Sequence, residues 1–123
     1  MRVADLRPGL ELGPSAWREV SQERIDAFAA ATDDPQWIHV DPVRAADGPF
    51  GTTVAHGYLT LALLVPFASE LLPVEDAALT VNYGLNRVRF PAAVPSGSRI
   101  RARVRVEAVA DVAGGTQVTL GAT

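Results

Sequence analysis

The sequence predicts an α+β domain in which an antiparallel β-sheet curls around one long central helix. Two stretches carry that expectation. Around His56 to Leu72 the chain reads AHGYLTLALLVPFASELL, apolar on nearly every side with few polar positions before Glu70, so a helix here is expected to be buried all round. From Arg99 to Val109, Ile100, Ala102, Val104, Val106 and Ala108 alternate with Arg99, Arg101, Arg103, Arg105 and Glu107, the pattern of a strand with one core face and one wet face. A helix of that size spans roughly 24 Å, the thickness of a small domain, so a sheet must cover most of it.

The other elements follow in order. A short strand is expected around Ala16 to Val20. Ser21 then caps a helix whose Ile25, Phe28 and Ala29 share one face, with Glu23 in its first turn near the positive dipole end. Thr32 to Thr53 is rich in proline, glycine and aspartate and reads as irregular but ordered, pinned by Trp37, Ile38 and Phe50. It is long for a connection, and long ordered loops tend to carry function. Pro66 is expected to bend the central helix. Strands then follow at Leu79 to Tyr83, Leu85 to Phe90, Arg99 to Val109 and Gln117 to Leu120, joined by PAAVPSG and DVAGG turns. The arginines of the third strand read as a solvated sheet face rather than a phosphate-binding ladder.

The 123 residues, 48% hydrophobic and 20% charged, suit one globular domain spanning 1–123 with no internal linker or repeat. Cysteine is absent, which removes disulfides, thiolate metal sites and cysteine nucleophiles together. A net charge of −3 offers nucleic acid or an anionic membrane no general attraction, and small molecules become the expected partners. All 11 basic residues are arginine, a bias ascribed to GC-rich coding rather than function. The start, MRVADLRPGLELG, has no apolar signal core, and the apolar run from Tyr58 to Ser69 is too short to span a bilayer. The expectation is a soluble, cytoplasmic protein.

Taken singly, the polar residues have plain structural readings. Asp34 ahead of Pro35 suits the start of an Asx turn, and His39 between Ile38 and Val40 suits a hydrogen-bonded, partly buried histidine. His56 is read as structural, satisfying the start of the central helix. With His39 and His56 as the only histidines and no H-E-x-x-H arrangement, a zinc site is not expected. A G-x-S-x-G nucleophile elbow is also missing.

Together they carry more. The run from Thr32 to Leu64, with D-P-Q-W-I-H-V-D-P, G-P-F-G-T-T and A-H-G-Y-L-T-L-A-L-L, and the later N-Y-G-L-N-R-V-R-F-P followed by P-S-G-S, resembles the MaoC-like dehydratases, the (R)-specific enoyl-CoA hydratases of hotdog fold. The resemblance covers nearly the whole chain. It implies a homodimer whose two sheets join, and a tunnel admitting an acyl thioester of coenzyme A or acyl carrier protein. The family's catalytic pair, an aspartate and a histidine five residues apart, maps onto Asp34 and His39, and that spacing excludes Asp33, where family members often carry glycine. The oxyanion donor maps onto the backbone N–H of Gly57. Relatives usually continue past the position of Thr123 with a further strand, so the sheet is expected to lack a C-terminal strand and to leave an edge exposed.

The implied reaction is hydration of a trans-2-enoyl-CoA to the (R)-3-hydroxyacyl-CoA and its reverse, with no metal or redox cofactor. Its chemistry suits these residue types: a carboxylate and a histidine can share one water, and a fixed N–H meets the charge that develops on the thioester oxygen. Two other readings stand beside it. A hotdog acyl-CoA thioesterase shares fold and substrate, and the D-x-x-x-x-H spacing separates the two. A non-catalytic partner subunit of a hydratase heterodimer is disfavoured because both catalytic residues are present. Trp37 and Phe50 read first as core pins and second as tunnel lining. Tyr58, Asn82, Asn86 and Arg87 are candidates for substrate contact among which the sequence does not choose.

Overall fold

Ser21 decides where the first helix starts. Its backbone is extended and its hydroxyl accepts the Arg24 N–H at 3.1 Å, satisfying one of the donors that a helix start leaves open. From there α1 runs over Gln22–Thr32 and buries Ile25 and Ala29 one turn apart, as expected. The computed structural model describes residues 1–123, and the backbone packs as two compact units, each assembled from separate segments.

One unit comprises Trp17–Leu63 and Arg87–Ile100. Here β2 (Arg18–Val20) pairs antiparallel with β3 (Ser98–Ile100), Arg18 opposite Ile100. The predicted irregular stretch is more regular than its composition suggests: it holds α2 (Trp37–Val40) and α3 (Pro42–Ala46). Asp41 caps α3 through its carboxylate, which accepts the Arg44 N–H, and Pro42 sits in the first turn, where its missing N–H costs nothing. Then comes α4 (Gly57–Ala62). Val20 and Ile25 are fully buried, with Ala45, Val54, Ala55, Leu59 and Leu63 also in this core.

The other unit comprises Met1–Ala16, Leu64–Asn86 and Arg101–Thr123. Its sheet has the order β1-β4-β5, with β1 Glu11–Leu12, β4 Val104–Val112 and β5 Gly115–Ala122, all antiparallel. β5 lies at the sheet's edge and is longer than the expected Gln117 to Leu120. α5 (Leu64–Leu71) buries Phe67, and the Glu70 carboxylate accepts the Ala16 N–H at 2.7 Å.

Several expectations are corrected. The central helix is interrupted at Leu63 between α4 and α5: Pro66 has no N–H for the Ala62 carbonyl four residues back, so regular bonding ends there. Nor is it buried all round. Leu59, Leu63 and Phe67 are buried, but Tyr58 and Val65 are exposed within the chain.

The expected strands at Leu79 to Tyr83 and Leu85 to Phe90 are not formed; the segment is irregular, and Leu79, Val81, Tyr83 and Leu85 are exposed. Alternation predicts which residues share a face, but a strand also needs a neighbour to take its N–H and C=O groups. The single strand expected from Arg99 to Val109 is two, β3 and β4. Ala102, Val104 and Val106 are buried as predicted, whereas Ala108 is exposed because a register shift between Val106 and Ala108 reverses the alternation. Arg105 lies 3.5 Å from Glu11 on the wet face.

Candidate active site

α1 ends on Asp33, which adopts the left-handed conformation (φ 56°, ψ 39°). That turn sends the chain back so that the Asp34 N–H donates to Ala29 O at 3.0 Å. The carboxylate of Asp34 is left half exposed and accepts no backbone N–H, so the Asx-turn reading does not hold. Asp33 occupies a position that favours glycine, having the φ that side chains resist. Asp33→Gly is expected to stabilise the fold by roughly 0.5 kcal/mol, the relief of left-handed strain less glycine's chain entropy, while turnover stays unchanged. Urea unfolding and a turnover assay together check both.

His39 is buried on α2. Its Nδ1 lies 2.6 Å from Val54 O, and since a carbonyl only accepts, Nδ1 donates, which in the neutral ring leaves the lone pair on Nε2. The loop around it is tied in by backbone and side chain alike. Val54 N–H donates to Ile38 O at 3.0 Å; Gln22 Nε2 donates to His39 O at 2.7 Å, and Gln22 Oε1 accepts from Thr53 Oγ1. Gln22 is a residue the sequence reading passed over, since nothing local distinguishes it from a surface glutamine.

His56 caps α4 and is 3% exposed. Its ring stacks on that of His39 with centroids 3.7 Å apart and planes 23° apart, and Phe28 covers it at 4.9 Å. Its Nε2 lies 2.9 Å from Asp34 O and 3.9 Å from Asp34 Oδ2, while Nδ1 has no hydrogen-bond partner. Asp34, His39 and His56 thus bring one polar atom each within 4.8 Å of one another. Both histidines and a carboxylate are a set that a divalent cation can use, but the bonding here does not suit one. His56 spends its Nε2–H on a carbonyl, and a cation taking Nε2 would force the proton onto a buried Nδ1 with no acceptor.

A groove of about 390 Å³ opens beside the cluster, lined by His39, Phe50, Gly57, Thr60 and Phe90 among others. Gly57 is the first residue of α4, so its N–H has no partner within the helix. Phe90 lies against it: a Cβ on Gly57 would come 2.8 Å from the ring. Phe50, expected as a core pin, is instead half exposed in this groove. Trp37 is also outside the core, half-buried beneath the Arg44 guanidinium at 4.3 Å.

Residues 4–123 match the family model described as MaoC like domain. The chain belongs to the MaoC-like dehydratase family. It is 52% identical over 124 residues to the 3-hydroxyacyl-thioester dehydratase Z of Mycobacterium tuberculosis, covering 98% of this chain and 82% of that one. Among solved structures, the MaoC-like dehydratase from Rhodospirillum rubrum superposes with a TM-score of 0.81 at 25% identity, covering 99% of this chain and 83% of the other. The R-hydratase from Pseudomonas aeruginosa superposes at 0.66, also with 25% identity, over 85% of this chain and 64% of that one. A MaoC-like member of this kind is an enzyme, a carbon–oxygen lyase of the α+β hotdog fold. No helix is long and apolar enough to cross a membrane.

Proposed function

We propose that the chain interconverts an (R)-3-hydroxyacyl thioester with the trans-2-enoyl thioester and water, using Asp34 and His39 on the proton and the Gly57 N–H on the thioester oxygen. The observation that carries this reading is the convergence of the Asp34 carboxylate and the His39 ring within 4.8 Å, with His39 and Gly57 lining the same groove. The 52% identity to a 3-hydroxyacyl-thioester dehydratase supports it.

In this reading each need of the reaction has a group to meet it. In the dehydrating direction the proton on C2 passes to the Asp34–His39 pair, its bonding electrons move toward the thioester carbonyl, and the oxygen so charged faces the Gly57 N–H. The electrons return to form the C2–C3 double bond as the C3–O bond breaks, and the hydroxyl leaves as water with the proton the pair gives back. The pair ends as it began. His39 suits this work because Val54 O holds the hydrogen on Nδ1, keeping the Nε2 lone pair available. Hydration runs the same steps backward.

The test follows the conjugated enoyl thioester by ultraviolet absorbance while free thiol is assayed in parallel, on coenzyme A and acyl carrier protein substrates, with chiral analysis of the hydroxyacyl product. Loss of conjugation without thiol release is expected, giving the (R) product. Thiol release without hydration would make the protein a thioesterase and sink the reading.

Assembly belongs to the same proposal. Leu79, Val81, Tyr83 and Leu85 alternate along an exposed segment, a pattern that makes sense once a second copy covers it, as in a homodimer. Sedimentation over a range of concentrations is expected to give a dimer, and Val81→Lys to weaken it. A wild-type monomer at every concentration would reject this assembly.

A further inference from the structure

We infer that His56 is a positioning residue for the reaction, holding Asp34, His39 and Gly57 in one arrangement rather than merely closing the start of a helix; this rests on the function proposed above. Two side-chain contacts and its place in the chain carry it. Its Nε2–H donates to Asp34 O at 2.9 Å, which fixes the turn that presents the carboxylate. Its ring stacks on His39 at 3.7 Å, which restricts that ring's rotation about its Cβ–Cγ bond. Its own backbone is the cap from which Gly57 follows as the first residue of α4. One side chain therefore touches both members of the proton-handling pair and precedes the oxyanion donor by a single residue.

The chemical form of His56 matters as well as its place. Asp34 O only accepts, so the proton of neutral His56 sits on Nε2 and the lone pair on Nδ1 points into protein, 3% exposed and without a partner. A buried nitrogen with nothing to bond is uncommon in a purely structural role.

The two contacts separate by substitution. His56→Gln keeps an N–H near Nε2 and loses the stacked ring, whereas His56→Phe keeps the ring and loses the N–H. Each is expected to fold and to lower kcat about 10- to 100-fold, the scale of a misplaced general acid–base pair, with KM moving little. Adding His56→Phe to Asp34→Asn is expected to cost much less than it does alone, because it acts through Asp34. In ¹⁵N-resolved NMR the wild-type His56 is expected as the Nε2–H tautomer, and His39 Hε1 is expected to move on His56→Gln as the ring current is lost. That spectrum needs no turnover. An inactive wild type would therefore defeat the function while leaving the positioning measurable. Variants within twofold of wild-type kcat in an active enzyme, a loss confined to KM, or an unmoved His39 signal would each overturn this inference.

Discussion

Replacing Asp34 by asparagine or His39 by asparagine is expected to lower turnover on the order of 10² to 10⁴-fold, the usual contribution of a positioned acid–base group. The structure separates chemistry from stability at both positions. Asp34 does its structural work through its backbone, the N–H donating to Ala29 O and the carbonyl accepting from His56, while the carboxylate is half exposed. Asparagine leaves the fold untouched and removes the carboxylate that can take a proton. His39 is more demanding, since its Nδ1–H satisfies Val54 O in the interior. Asparagine keeps an N–H where Nδ1 stood and loses Nε2, so the fold is retained and the chemistry lost. Glutamine does the reverse, and leaving Val54 O without its donor is expected to cost about 1 to 3 kcal/mol of stability as well as turnover. Thermal unfolding alongside the enoyl assay distinguishes the two. Near-normal turnover in either asparagine variant would remove that residue from the reaction.

Gly57→Pro is expected to lower turnover on the order of 10² to 10³-fold, the effect of losing one oxyanion donor. Proline removes the N–H, and the first helical position tolerates its ring and fixed φ; Gly57 is not among the glycines of positive φ. Alanine, which keeps the N–H, would be the natural control but for Phe90. A Cβ at 57 would meet that ring at 2.8 to 3.0 Å, so proline and alanine alike displace an aromatic wall of the groove. The comparison therefore belongs in a Phe90→Ala background, where the added carbon has space. There Gly57→Ala is expected to match its parent and Gly57→Pro to fall well below it. Equal turnover in those two would show that the carbonyl is polarised by another group.

What local periodicity and short spacing encode was legible before folding. Ser21 announces the start of α1 because a hydroxyl at that place bonds its own third neighbour. Ile25 and Ala29, and likewise Ala102, Val104 and Val106, are buried because helix and strand geometry fix which residues share a face. The family is legible in the motifs from Thr32 to Leu64 for the same reason: they are contiguous. Everything that depends on residues distant along the chain was set by folding. The strand pattern from Leu79 to Phe90 lacks a pairing neighbour, and the bulge after Val106 turns Ala108 outward, because hydrogen-bond partners are set by the facing chain and not by alternation. His56, read from sequence as a helix start, proves to lie on His39 and against Asp34, 22 residues away. Its role and tautomer are set by which carbonyl it meets, and only folding brings that carbonyl to it.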